Sequence, residues 1–203
     1  MKNTRGLLTA MTVLLIATVI IAAIPTENEG AIYGDTVRLH IPANSDNEED
    51  QAVKLEVRDM LLREYGTELS TLGSKEDAED KLSCLLPDIE ASADKILIDK
   101  GMQYRSDAEL VTEWYDTRSY GELTLPAGYY TSLKVTLGEG SGRNWWCVMF
   151  PPMCLGMATD STDGEPIQYT EEEYRLIREG GYSIKFKILE LISEACREVA
   201  KNR

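Results

Sequence analysis

Two adjacent tryptophans, Trp145 and Trp146, sit between three glycines and two cysteines in LGEGSGRNWWCVMFPPMC, residues 137–154. An indole must bury most of its ring to be worth ordering, so a tryptophan pair marks either a core or a docking surface. Asn144 to Phe150 reads as an aromatic strand that stops at Pro151, which cannot donate to a ladder. Cys147 lies within that strand and Cys154 just beyond the turn that Pro151 and Pro152 impose. A fold-back there brings the two Cα atoms within the roughly 4.4–6.8 Å that a disulfide needs. Of the three pairings four cysteines allow, Cys147–Cys154 is the one this turn favours, and Cys84 and Cys196 either pair or stay as buried thiols.

Catalysis has few candidates. His40 is the single histidine, so three-ligand zinc hydrolysis is excluded and no metal site is expected. It alternates outward from a first strand, beside the Asn44-Ser45-Asp46 turn, where a scaffold role fits better than that of a base. Glu139 near the two tryptophans has the look of an acid in a sugar-cleaving cleft, although an exposed turn residue explains it more simply. GEGSG at 138–142 is no dinucleotide fingerprint, because position 143 is Arg and a strand follows instead of a helix. No Ser-His-Asp or Cys-His set can be assembled, and no cofactor is implied. Binding is the default reading, with the aromatic and arginine side chains as its energetic centre.

Charge narrows the partners. The net charge is −14 over 203 residues, and setting aside residues 1–24, which hold Lys2, Arg5 and no acid, leaves −16. Such a surface repels nucleic acid. Residues 7–24 are uncharged and apolar behind Lys2 and Arg5. That length lies between a signal-peptide core and a membrane span, so the segment is a signal peptide or a retained anchor, and the chain is exported either way.

The remaining elements follow from periodicity. Residues 25–34 read as a flexible linker. Val37, Leu39 and Ile41 alternate as a half-buried strand ended by Pro42. Ser45 and Glu48 have capping-box spacing ahead of a helix that buries Val53, Val57, Met60 and Leu61 and stops near Gly66. Ser74 and Asp77 open a second helical stretch, with Pro87 predicting a kink or two successive helices. Period-two strands follow around 104–114, 123–125, 133–137 and 144–150. After an acidic loop come a short helix from Thr170, a strand over 182–188 and a C-terminal helix. The expectation is an α+β single domain over 35–203, largely an antiparallel sheet covered by helices, after an N-terminal signal or anchor helix.

RLHIPANSD (38–46), LPAGYYTSLKVTLGEGSGRNWWCVMFPPMC (125–154) and KFKILE (185–190) together resemble the stage II sporulation protein R family of endospore-forming bacteria. That resemblance implies a protein made in the forespore and exported to the space between the two cells. There, it implies, the protein activates a membrane-embedded aspartic protease that processes pro-sigma-E, without being an enzyme itself. Trp145, Trp146 and Arg143 are the expected partner contacts, followed by Arg38, His40 and Asn44. The competing expectation is an envelope hydrolase that modifies cell wall through Glu139.

Overall fold

A computed structural model of the protein describes residues 11–14, 16–17, 32–120 and 123–151. In chain order the elements are β1 (Val37–Pro42), α1 (Glu48–Leu61), α2 (Lys75–Asp99), β2 (Ser106–Tyr115), β3 (Arg118–Tyr120), β4 (Leu123–Leu125), β5 (Gly128–Leu137) and β6 (Asn144–Phe150). The sequence shows no boundary within 35–203, whereas the structure groups the chain into two compact units. One holds 33–114 and 129–170; the other holds 1–32, 115–128 and 171–203. In the second, β3 and β4 form a small antiparallel hairpin. Ile32, inside the expected linker, is buried in a helical turn over 32–34. The expected helix from Thr170, the strand over 182–188 and the C-terminal helix lie outside the described residues, as do Cys154 and Cys196.

The larger unit carries a four-stranded sheet in the order β2-β5-β1-β6. It is mixed, which corrects the largely antiparallel expectation: β1 runs parallel to β5 and antiparallel to β6. The cause is geometric. β5 and β6 are joined by a short loop and run in opposite directions, and β1 is inserted between them. Any strand in that position must be parallel to one neighbour. Alternating hydrophobicity reports which face a residue takes but not which strand lies beside it.

All six residues of β1 are buried. His40 therefore does not point to solvent as alternation suggested, since a central strand covered on both faces has no outward side. Leu133, Val135 and Leu137 on β5 are fully buried, as expected.

α1 has its N-cap two residues later than the capping-box reading had it. Asn47 is the N-cap and accepts from the Asp50 amide at 2.7 Å, while Ser45 turns to the Asp50 side chain. Val53, Val57, Met60 and Leu61 are buried as predicted. Gly66 does not end the helical run. A π-helical stretch, Leu62–Gly66, and a last α turn, Thr67–Leu69, carry it on. Burial of Leu62, Tyr65 and Leu69 keeps the apolar stripe in phase across the glycine. Ser74 caps α2 through the Asp77 amide, as read from the sequence. α2 then runs as one helix through Pro87. Ala78, Leu82, Ile89, Ala93 and Leu97 bury one stripe on both sides of the proline, which offsets the roughly 3 kcal/mol it costs. Among the described residues no helix is long and apolar enough to cross a membrane, and most of the 7–24 run lies outside them.

Candidate partner-binding site

The strand order forces a crossing. To step from β5 to β6 over the intervening β1, residues 138–143 must pass across the chain that leaves β1 at Ala43-Asn44-Ser45. The two most distinctive segments of the sequence are pressed together there. The Gly142 amide donates to the Ala43 carbonyl at 2.8 Å, and the Ser141 hydroxyl to the Asn44 carbonyl at 2.6 Å. A Cβ on Gly142 would lie 2.2 Å from the Ser45 carbonyl oxygen, and one on Gly138 would lie 2.2 Å from Asn44 Oδ1. Gly138 also has φ +59°, a conformation that a side chain disfavours. The glycines thus serve a backbone crossing that leaves no room for a side chain at 138 or 142.

Beneath the crossing lies Asp50, 3% exposed. Its carboxylate accepts from Asn44 Nδ2 at 2.9 Å, from the Ser45 hydroxyl at 2.6 Å and from the Tyr104 hydroxyl. Burial on its own would raise its pKa. Donation from Ser45, then Tyr104 and Asn44, outweighs that and holds the carboxyl below its ordinary range. The Tyr104 phenol is raised by burial and by its bond to Asp50. Lys54, 5% exposed on the next turn of α1, donates to the Arg143 carbonyl at 2.9 Å and to Gln51 Oε1 at 2.7 Å. Burial, then the nearby Arg143 charge, presses its pKa down. Asn44 Oδ1 accepts from the Glu139 amide at 3.0 Å, so both ends of this side chain are bonded within the crossing.

The six expected contact residues separate into two groups. Arg143 stands out from the crossing with its side chain 71% exposed, beside the 66% exposed Asp46 at 3.4 Å. Trp145 and Trp146 are half-buried. They pair with Ile41 and His40 across β1 and β6 and so leave by opposite faces, as alternation required. Trp145 lies under the guanidinium of Arg58 on α1, 4.4 Å from ring centroid to Cζ. Trp146 stacks on His40, with ring centroids 3.7 Å apart and planes 13° from parallel.

The other three residues face inward. Arg38 is fully buried, donates Nε to the Cys147 carbonyl at 3.1 Å and sits over the Tyr130 ring; in this fold it offers a partner no surface. His40 is 7% exposed, and Nδ1 donates to both Glu113 oxygens at 3.0 Å. Asn44 is committed to the crossing.

Sequence reasoning missed Asp50, Tyr104, Lys54, Arg58 and Glu113. Only the density of polar residues over 44–54 hints at a buried hub, because water-facing helix starts have the same composition. Glu139, the acid of the hydrolase reading, is exposed on the crossing loop, where its backbone amide makes the contact to Asn44. Cys147 is fully buried opposite Leu39. Cys84 is a free, exposed thiol, which corrects both alternatives held for it. No group of three or more metal-ligating side chains occurs among the described residues.

Against known proteins, the family model described as Stage II sporulation protein R matches residues 34–160. Stage II sporulation protein R of Bacillus subtilis (strain 168) is 34% identical over 149 residues, which is 73% of this chain and 65% of that relative. The match therefore spans a little under two thirds of the relative's own length. No solved structure matches the chain significantly.

Proposed function

This chain belongs to the stage II sporulation protein R family, and from that membership we propose that it is an exported sporulation signal that binds and activates a membrane-embedded aspartic protease, leading to pro-sigma-E processing. Residues 7–24 take the domain across the forespore membrane, as a cleaved signal or a retained anchor, and a Cys147–Cys154 cystine braces the corner after β6. The protein performs no bond chemistry. It acts by contact.

The observation that carries this reading is the crossing itself. Two segments about a hundred residues apart are locked together, and the polar groups of the lock are turned inward. Outside it stands Arg143, just before the start of β6, the last strand in the sheet order, followed by two half-buried indoles. Three anchor-type side chains in a row suit protein docking better than small-molecule turnover. Because the indoles lie on opposite faces, the partner grips the start of β6 from both sides.

A ligand activates by preferring one receptor state. Moving the protease from about 1% to 99% active requires a preference of about 5.5 kcal/mol, within reach of three anchors.

The test is cleavage of the precursor by the protease in vesicles, with the exported protein added outside. Folded Trp146→Ala and Arg143→Ala variants should each reduce activation at least tenfold, and Glu139→Gln should leave it unchanged. Full activation by the double Arg143→Ala, Trp146→Ala variant would remove the proposed contact. Wall-fragment turnover lost in Glu139→Gln would instead establish the hydrolase.

A further inference from the structure

We propose that the outer edge of β2 is a docking edge for an extended, lysine- or arginine-bearing segment of a partner protein, which joins the sheet as a further strand beside residues 108–112. This edge is separate from the signalling contact, because β2 and β6 stand at opposite ends of the sheet order.

The bonds of β2 show which way each of its backbone groups points. The Gly138 amide donates to the Arg105 carbonyl, Lys134 meets Glu109, and Tyr129 meets Trp114. Numbers on β5 therefore fall as those on β2 rise, and the two strands are antiparallel. In such a pair, residues that bond the neighbour alternate with residues that face away from it. With Arg105 bonded across, the odd-numbered residues of β2 turn to β5 and the even-numbered ones turn outward. Two further bonds agree. The Ser106 amide donates to Asp94 Oδ1 at 2.7 Å and the Ala108 amide to Glu90 Oε1 at 2.9 Å, both acceptors being side chains of α2. These carboxylates close the first part of the edge, and the bonds stop there. Beyond them, Leu110 and Thr112 have no outer hydrogen-bond partner among the described residues, and Thr112 is exposed.

A run of outward amides and carbonyls is a template for another strand. The side chains select which strand. Asp107, Glu109, Val111 and Glu113 share one face of β2, so three carboxylates surround one apolar residue. Glu109 is bonded to Lys134 and Glu113 to His40, both on inner strands, while Asp107 has no ion pair among the described residues. A second copy of this chain, paired antiparallel about Val111, would set Glu109 opposite Glu113, and like charges in that position repel. A strand with cations opposite the carboxylates and an apolar side chain opposite Val111 fits instead. Main-chain bonds supply the affinity, and alternate side chains supply the choice of sequence.

The test is amide hydrogen exchange on the full-length protein in detergent, with acetyl-Lys-Thr-Val-Thr-Lys-Thr-Lys-amide as the probe. Laid antiparallel, this peptide sets lysines opposite Glu113, Glu109 and Asp107 and its valine opposite Val111. At saturating probe, exchange at Leu110 and Thr112 should slow about tenfold or more, while Ser106 and Ala108, already bonded, stay as they are. Glutamate in place of every lysine of the probe should weaken binding about tenfold or more, and added salt should weaken the basic probe. Thr112→Pro should weaken it about tenfold as well, since proline removes an outward amide and leaves the bonds to β5 in place.

No binding, or binding that leaves Leu110 and Thr112 unprotected, overturns the docking edge. Equal affinity for the basic and acidic probes overturns the partner's stated chemistry. Protection of the same amides that grows with protein concentration, without probe, makes the occupant a second copy and overturns the proposal too. Should Thr112→Pro fail to fold, Asp107→Lys, at an exposed position, must weaken the basic probe about threefold or more, and an unchanged affinity overturns the edge. None of these outcomes bears on the activation test with Arg143 and Trp146.

Discussion

The same strand, β1, meets its neighbours in two ways. At its C-terminal exit the chain is crossed by 138–143 at backbone distance, and Asn44, Ser45 and Asp50 have their side-chain hydrogen-bonding groups engaged in the lock. Four residues before Asn44, His40 is held by one carboxylate and one indole. Steric exclusion fixes the first arrangement, and a hydrogen bond with a ring stack fixes the second. One is a backbone frame that fails when altered. The other is a contact between side chains. A single short segment, RLHIPANSD, encodes both, which explains why it stands out in the sequence although most of its side chains never reach the surface.

The comparison breaks most visibly at the frame. Gly142→Ala places a Cβ 2.2 Å from a backbone carbonyl oxygen that has no rotamer to escape into, and Gly138→Ala adds left-handed strain to a clash with Asn44. Each should cost about 3 kcal/mol, or about 10 °C in melting temperature. Gly73→Ala, with nothing within 4 Å, is the matched control and should shift melting by little. A Gly142→Ala protein melting within a couple of degrees of wild type would mean that the crossing is not tight.

Asp50→Ala comes next. It leaves the Ser45, Asn44 and Tyr104 donors facing a hole, at a cost of about 2–3 kcal/mol. Because its folded pKa is lowered, wild-type Asp50 contributes stability that is present above the unfolded carboxyl value near 3.9 and lost as pH falls through the folded one. The stability gap between wild type and Asp50→Ala should therefore be full at pH 7 and narrow below about pH 4. Urea titrations at both pH values measure it, and a gap unchanged at low pH would contradict the assigned charge.

What the sequence disclosed depended on whether the signal was local. The aromatic strand 144–150, the buried positions of α1, the Ser74 cap and the opposite faces of the two tryptophans rest on period and spacing, and they hold. Insertion of β1 between β5 and β6 is a long-range choice that no local period records. Three errors follow from it: the antiparallel expectation, an outward His40 and a surface Arg38. The cap was displaced for the same reason. In the polar run Asn44 to Asp50 several residues can cap; the crossing loop engages Asn44 and the Asp50 carboxylate takes the Ser45 hydroxyl, leaving Asn47. Glu113 offered no signal at all, since a carboxylate beside Trp114 on a half-exposed strand looks like any solvated residue until β1 is known to lie two strands away.

The two indoles sharpen the comparison at a smaller scale. Trp145 is covered by the guanidinium of Arg58, and Trp146 by the imidazole ring of His40. Arg58→Ala should cost about 1 kcal/mol through lost cation–π contact and stem packing. Thermal melting of Arg58→Ala against wild type measures it, and an unchanged melting temperature would mean that the guanidinium does not hold the indole.

The smallest effect on stability is the most informative for function. Arg143→Ala removes an exposed guanidinium whose ion pair with Asp46 is between side chains 71% and 66% exposed, a pairing worth at most about 0.5 kcal/mol. The loop's own bonds survive the truncation, because they use the Arg143 backbone: its amide donates to Asp46 at 2.6 Å and its carbonyl accepts from Lys54 at 2.9 Å. Removing the charge also relieves Lys54, which Arg143 disfavours, so part of the small loss is returned. Melting should move by no more than about 2 °C. If activation nevertheless falls at least tenfold, the frame and the contact are separable, and the crossing exists to present this side chain. If melting drops as far as in Gly142→Ala, Arg143 belongs to the frame and the outward anchor must be sought in the indoles alone.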